Sequence, residues 1–183
     1  MSEDLRENFQ AALAKGSIVE AQSYLDQDKE LLNSNLNNNR SHSLIFANSH
    51  LELAKYLVEA GAQVNRGNRY GKTVLMYSAQ GGHLDVVKLL IDKGADHKLK
   101  DKDGNTALLF AIQHKQIEVI SYFISIGVDL FEKEDEFALA PVECVRDVEH
   151  VERILRESAV YAKSSGIVDK VLITPQLFET ARN

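Results

Sequence analysis

Apolar residues recur along this chain at a fixed distance of 33 residues, in several phases at once. Within each copy they fall three or four residues apart, the spacing that lines one face of an α-helix. Three apolar phases and one glycine phase repeat: Leu51, Leu84 and Ile117; Ala54, Val87 and Ile120; Val58, Ile91 and Ile124; Gly61, Gly94 and Gly127. A period of this length predicts a small helical unit that is copied and stacked. Such an array offers a long surface, so partner binding is expected before catalysis.

The internal pattern of one copy predicts two helices and a polar turn. Thr73 follows a glycine-containing turn and is placed to cap a helix start with its hydroxyl group. We expect a first helix over residues 74–80, with Leu75 and Ser78 facing inward, and a break at the two glycines that follow. A second helix is predicted over residues 84–93, ended by a left-handed glycine at position 94.

These motifs resemble the ankyrin repeat. The matching segments are Gly71-Lys72-Thr73-Val74-Leu75, Gly82-His83-Leu84-Asp85-Val86-Val87-Lys88-Leu89-Leu90 and Gly94-Ala95-Asp96. The resemblance implies an all-α, helix-turn-helix solenoid with projecting hairpin-like loops. Met76 and Leu109 stand where the family has histidine, so its usual threonine-to-histidine hydrogen bond is expected to be missing.

The copies divide the chain into a predicted array and a tail. The array is expected over residues 1–163, with clear copies, an imperfect copy and two degraded caps, and residues 164–183 form a non-repeat tail. The segments are clear copies 68–100 and 101–133, imperfect copy 36–67, and caps 1–35 and 134–163. A helix pair over residues 4–14 and 18–26 is expected in the first cap, and residues 33–39 are predicted to be a flexible polar loop. The tail either packs on the last unit as a lid or docks a partner.

Charge and composition restrict the function further. The 183 residues carry a net charge of −6, yet residues 65–128 hold 9 basic and 6 acidic side chains. An acidic total argues against coating nucleic acid, and no apolar run approaches the roughly 20 residues that cross a bilayer. The start of the chain lacks the pattern of a secretory signal. We therefore expect a protein of the cytoplasm or nucleus, monomeric when free, with no nucleic-acid or membrane partner.

The sequence gives no support for catalysis. Its six histidines are scattered, no His, Cys or carboxylate pair has zinc spacing, and no phosphate-binding glycine loop is present. Cys144 is interpreted as a small core residue. Acidic residues at positions 132–136 lack the spacing of a calcium-binding loop. We expect no enzyme activity, no cofactor and no metal.

The resemblance implies that a partner protein meets the loop tips and the exposed side of the first helices. Tyrosine and arginine are enriched among binding hot spots, and Tyr70, Tyr77 and Phe110 are the predicted anchors. The loop tips near Arg69 and Lys102 are basic, whereas the third tip, near Asp135, is acidic. This arrangement suggests a partner with one acidic and one basic patch. The predicted contact residues are Arg66, Arg69, Tyr70, Lys72, Tyr77, Gln80, Lys100, Lys102, Asp103, Asn105, Phe110, Gln113, His114, Asp135 and Glu136.

Several functional alternatives stay open. The chain is interpreted as an adaptor or an inhibitor that masks a partner's surface, or as the regulatory subunit of an enzyme on another chain. Val64-Asn65, with Leu57 eight residues before the asparagine, also fits the pattern of asparaginyl hydroxylation in this family. The partner's identity, and the choice between a host protein and a bacterial effector, do not follow from the sequence.

Overall fold

A computed structural model describes residues 3–128 of the chain. Within these residues the chain is helical and contains no strand. The helices are α1 (Glu3–Ala14), α2 (Ile18–Gln27), a 3-10 helix (Lys29–Asn33), α3 (Ser43–Phe46), α4 (Leu51–Glu59), α5 (Val74–Gly81), α6 (Leu84–Asp92), α7 (Ala107–Gln113) and α8 (Ile117–Ser125). The prediction of an all-α solenoid is confirmed.

Helices α5 and α7 begin directly after threonine N-caps, as the sequence predicts. Thr73 Oγ1 accepts from the Met76 backbone N–H at 3.4 Å, and Thr106 Oγ1 accepts from the Leu109 N–H at 3.3 Å. These bonds satisfy donors that the first turn of a helix cannot pair internally. The family histidine at position 76 is replaced by methionine, whose Sδ accepts the Thr73 N–H at 3.4 Å. Helix α5 ends one residue later than predicted and α6 one residue earlier.

The helices form two layers. The first helices of successive units, α1, α3, α5 and α7, pack on one another in order, and the second helices, α2, α4, α6 and α8, do the same behind them. Leu75 and Ser78 of α5 are buried, as are their equivalents Leu108 and Ala111 of α7. One continuous core of buried apolar side chains runs through these units from Phe9 to Phe123. Burial of this apolar surface, at about 25 cal/mol per Å², is the main force holding neighbours together.

The imperfect copy is short in its first helix. α3 has 4 residues, whereas α5 has 8. Seven positions separate Leu44 from Leu51, but nine separate the equivalent Leu75 from Leu84. The loss therefore falls in the first helix, since the connection from α3 to α4 is longer than that from α5 to α6, and α4 keeps the full length of α6.

The polar segment after α2 is tied to the next unit, contrary to the expectation of a flexible loop. Asn33 Nδ2 donates to the Gly61 carbonyl at 3.2 Å, and Asn33 Oδ1 accepts from the Gln63 N–H at 3.0 Å. The Arg66 guanidinium donates to the Asn33 carbonyl and to Asn35 Oδ1. Leu36 is buried, which anchors the middle of the segment.

Other predictions lie outside the described residues. These are the second cap, the tail, the role of Cys144, and the acidic tip that includes Asp135 and Glu136.

Candidate functional site

Three polar turns project from the described units and are built alike. The side-chain oxygen of the first residue in each accepts backbone N–H groups two and four positions later. The acceptor Oδ1 atoms and their donors are Asn37 with Asn39 and Ser41 (3.0 and 3.0 Å), Asn68 with Tyr70 and Lys72 (2.9 and 3.1 Å), and Asp101 with Asp103 and Asn105 (3.0 and 2.8 Å). We call these turns the Asn37 tip (residues 37–41), the Asn68 tip (68–72) and the Asp101 tip (101–105). This shared pattern of hydrogen bonds holds the residues between the bonded positions at the surface.

The fourth residue of each tip has a left-handed backbone. It is Gly71 at the Asn68 tip, with φ of 79°, and Gly104 at the Asp101 tip, with φ of 82°. At the Asn37 tip the same position is Arg40, with φ of 55°. Residues with a Cβ rarely adopt this conformation, so the Asn37 tip carries strain that the other two avoid.

Backbone hydrogen bonds connect the tips in series. The Arg69 N–H donates to the Asn39 carbonyl at 2.7 Å, and the Lys102 N–H donates to the Tyr70 carbonyl at 2.9 Å. The second bond joins the same tip positions as the first, one unit further along. The tips are therefore fixed relative to one another and form a preformed row of turns.

The Asn68 and Asp101 tips form a basic and aromatic surface. Tyr70 is 47% exposed, and the Arg69 guanidinium carbon lies 5.3 Å from the centre of its ring. Lys72 Nζ lies 4.4 Å from the centre of the Phe110 ring. Both distances fall in the range of cation–π contact. We name Arg69, Tyr70, Lys72 and Lys102 the basic cluster.

Ion pairs do not neutralise the basic cluster from within the described part of the chain. The ion pairs that occur there join Lys15 to Glu20 and Lys55 to Glu52, on other surfaces. No carboxylate among residues 3–128 lies within 4.0 Å of a charged nitrogen of Arg69, Lys72 or Lys102. The cluster therefore presents positive charge to solvent.

Two predicted contact residues have internal roles. Phe110 is only 5% exposed, because its helix packs against α5. This placement corrects the expectation of an exposed Phe110 anchor: the ring supports Lys72 from below. Arg66 is also not a free tip residue, since its guanidinium is bound to the segment at Asn33 and Asn35. The sequence could not show either contact, because both join neighbouring units.

The other predicted contact residues are distributed over the same side. Tyr77 is half-buried, and its hydroxyl oxygen accepts from Asn68 Nδ2 at 3.0 Å. Gln80 is half-buried, and its backbone carbonyl accepts from Gln116 Nε2 at 2.9 Å. Asn105 Nδ2 donates to the Asp101 carboxylate, at 3.2 Å for the nearer oxygen. The exposed members are Lys100, Lys102, Asp103, Gln113 and His114.

Asn65 repeats the bonding of Asn33. Its Nδ2 donates to the Gly94 carbonyl at 3.0 Å, and its Oδ1 accepts from the Asp96 N–H at 2.8 Å. The side chain thus joins its own unit to the following one, a role that the sequence analysis missed. Asn33 precedes Gly61 by 28 residues and Asn65 precedes Gly94 by 29, and this near-equal spacing was the available signal. Hydroxylation of Asn65 stays a prediction.

His42 is a buried titratable residue beneath the tips. It is fully buried, and its Nε2 donates to the Arg66 carbonyl at 2.9 Å, which fixes the proton on that nitrogen. Its Nδ1 has no hydrogen-bond partner. Burial lowers the pKa of His42, and the nearby Arg66 charge lowers it further, against an opposing effect of the Arg66 backbone bond. The ring is therefore held neutral as part of the core.

Metal-holding clusters and membrane-spanning helices are both absent from residues 3–128. No group of three His, Cys, Asp or Glu side chains within residues 3–128 is arranged to hold a metal ion. Among the helices of that region, none combines the length and apolar character needed to span a bilayer.

The stacked helix pairs, the projecting tips and their shared bonding define a helical repeat module. The family model for ankyrin repeats matches three copies, over residues 9–101 and 47–134. These matches cover more than half of the chain, and the protein belongs to the ankyrin-repeat family. No curated protein matches the chain significantly. Ankyrin repeats are generally protein–protein interaction modules, and the fold is typically non-catalytic.

Proposed function

We propose that this chain is a non-enzymatic adaptor or inhibitor that binds an acidic segment of a partner protein at the basic cluster. Two observations together support this proposal. Tyr70 is exposed and lies under the Arg69 guanidinium group. The cations of the cluster form no ion pair with a carboxylate of the described residues. The cations of the basic cluster attract a segment of opposite charge. The exposed tyrosine adds an apolar surface that the segment can bury.

The cluster is suited to fast and oriented binding. Its charges lie at the surface, where complementarity mainly raises the association rate and sets orientation. Tyr70 is held by the backbone bonds of its tip, so little side-chain and loop freedom is lost when a partner binds. The basic patch that we expect on the same partner would meet Asp135 and Glu136, outside the described residues.

The test is a charge reversal with a matched control. Arg69→Glu with Lys102→Glu changes two exposed tip residues. Lys29→Glu with Lys93→Glu makes the same charge change at the start of the 3-10 helix and the end of α6. The partner is first identified by affinity capture, and its association rate is then measured across salt concentrations. The tip variant should associate at least tenfold more slowly at low salt, and the control within about twofold of wild type. Equal slowing in both variants would refute the basic cluster as the docking site.

Tyr70→Ala separates the aromatic contribution from the charge. Truncating a hot-spot tyrosine costs about 2 kcal/mol or more of binding free energy, and the loss falls mainly on the dissociation rate. We expect dissociation at least tenfold faster with the salt dependence kept. An unchanged dissociation rate would remove Tyr70 from the interface.

A further inference from the structure

A groove of about 750 Å³ lies at the first unit, between α1 and the Asn37 tip. Its walls include Arg6 and Gln10 of the helix and Asn38 and Arg40 of the tip. This groove is separate from the basic cluster, which is built on the next two tips.

Small side chains leave this groove open. Ala11 and Ala14 of α1 line it and are exposed. Positions 66 and 99 residues later hold Tyr77 and Phe110 in place of Ala11, and Gln80 and Gln113 in place of Ala14. Gly16 and Gly82, both with positive φ, keep the same offset of 66 and support this alignment. This helix position therefore carries an aromatic ring in α5 and α7 but only a methyl group in α1.

The groove offers donors that lack acceptors. Arg6 Nε is buried and has no hydrogen-bond partner. Neither Arg6 nor Arg40 is ion-paired with a carboxylate of the described residues, although Glu3 and Glu7 lie on the same wall. Those two glutamates are exposed at the start of α1. Guanidinium groups bind carboxylates with two parallel hydrogen bonds, so arginines on both walls of the groove are suited to a ligand carboxylate.

Arg40 is present although glycine would fit its backbone better. The equivalent tip positions are Gly71 and Gly104, and Arg40 adopts their left-handed conformation at φ of 55°. Strain of this kind persists where a side chain has a use. Its guanidinium group on the groove wall supplies such a use.

We propose that this groove is a second subsite for the acidic partner, receiving a carboxylate side chain between Arg6 and Arg40. The inference extends the proposed function, since it places a further acidic residue of the same partner one tip before the basic cluster. The backbone bond from Arg69 to Asn39 fixes the distance between the two sites.

The experiment uses the ¹⁵N-labelled full chain and a blocked pentapeptide that contains two glutamates, with its glutamine counterpart as control. The glutamate peptide should give saturable amide shifts in α1 and the Asn37 tip, and the glutamine peptide should not. Arg40→Ala removes the guanidinium, and Ala11→Tyr places in the groove the side chain that position 77 has. Each should weaken the peptide's affinity at these amides at least fivefold, while Lys93→Ala should leave it unchanged. Ala14→Gln serves as a second filling variant if Ala11→Tyr folds poorly.

The location of the shifts separates the two proposals. Shifts confined to the basic cluster would support the proposed function and overturn the groove. Shifts in the groove that neither Arg40→Ala nor a filling variant weakens would also overturn the carboxylate subsite. Shifts in the groove alone would support the subsite and count against the basic cluster.

Discussion

Replacing Arg40 with glycine should stabilise the protein, because the backbone at this position is already in the conformation that glycine prefers. Arg40 has φ of 55°, and the equivalent Gly71 and Gly104 have φ of 79° and 82°. A residue with a Cβ loses roughly 1–2 kcal/mol in this region. Glycine also gives the unfolded chain more conformational freedom, which lowers the unfolding free energy by about 0.5–1 kcal/mol and offsets part of this gain. The net gain in unfolding free energy should be about 0.5–1 kcal/mol.

Urea denaturation followed by circular dichroism measures this gain. With an m-value of about 2 kcal/mol/M, the midpoint should rise by roughly 0.3–0.5 M. Arg40→Ala is the matched control, since it removes the same side chain and keeps the strain. Gly71→Ala should move the midpoint down, because a Cβ there would lie 3.1 Å from the Asp101 Cα at φ of 79°. If Arg40→Gly is no more stable than Arg40→Ala, the strain at this tip is not real.

Two other side chains give sharp tests. Asn65→Ala removes two hydrogen bonds to the next unit and should lower the unfolding free energy by about 1–2 kcal/mol. Lys98→Ala, at an exposed position nearby, should change the unfolding free energy little. Equal urea midpoints for the two variants would refute the linking role of Asn65. Burial lowers the pKa of His42 in the folded state, so stability should be full above the unfolded pKa of about 6.5 and fall as the pH drops from there toward the folded pKa. Urea midpoints at pH 7.5 and 5.5 measure this fall, which His42→Gln should reduce; an undiminished fall in that variant would assign it to other groups.

The periodicity of the sequence was enough to predict the helices and their buried faces. Leu75 and Ser78 are buried, as predicted from the small or apolar residues that stand 33 positions later, Leu108 and Ala111. The threonine caps were predictable for a similar reason, since each hydroxyl bonds a backbone group three residues away.

Contacts between units were not predictable from spacing alone. Arg66 reaches back to Asn33, and Lys72 reaches forward over Phe110, so their roles depend on how two copies are placed against each other. A long basic side chain in a tip can extend into solvent or donate a hydrogen bond to an acceptor within the protein, and the sequence alone does not distinguish the two. The left-handed backbone of Arg40 could have been predicted from the sequence. Arg40 stands 31 residues before Gly71, and the same distance separates Leu44 from its equivalent Leu75.

The short helix α3 shows where this architecture tolerates a change in length. Two residues are missing between Leu44 and Leu51, yet the Asn37 tip keeps its wiring and its bond to Arg69. The deletion in this first helix is thus absorbed locally, without altering the hydrogen bonds of the neighbouring tip. An engineer who wishes to shorten a unit, or a lineage that drifts by small deletions, can use this segment while leaving the projecting turns in place.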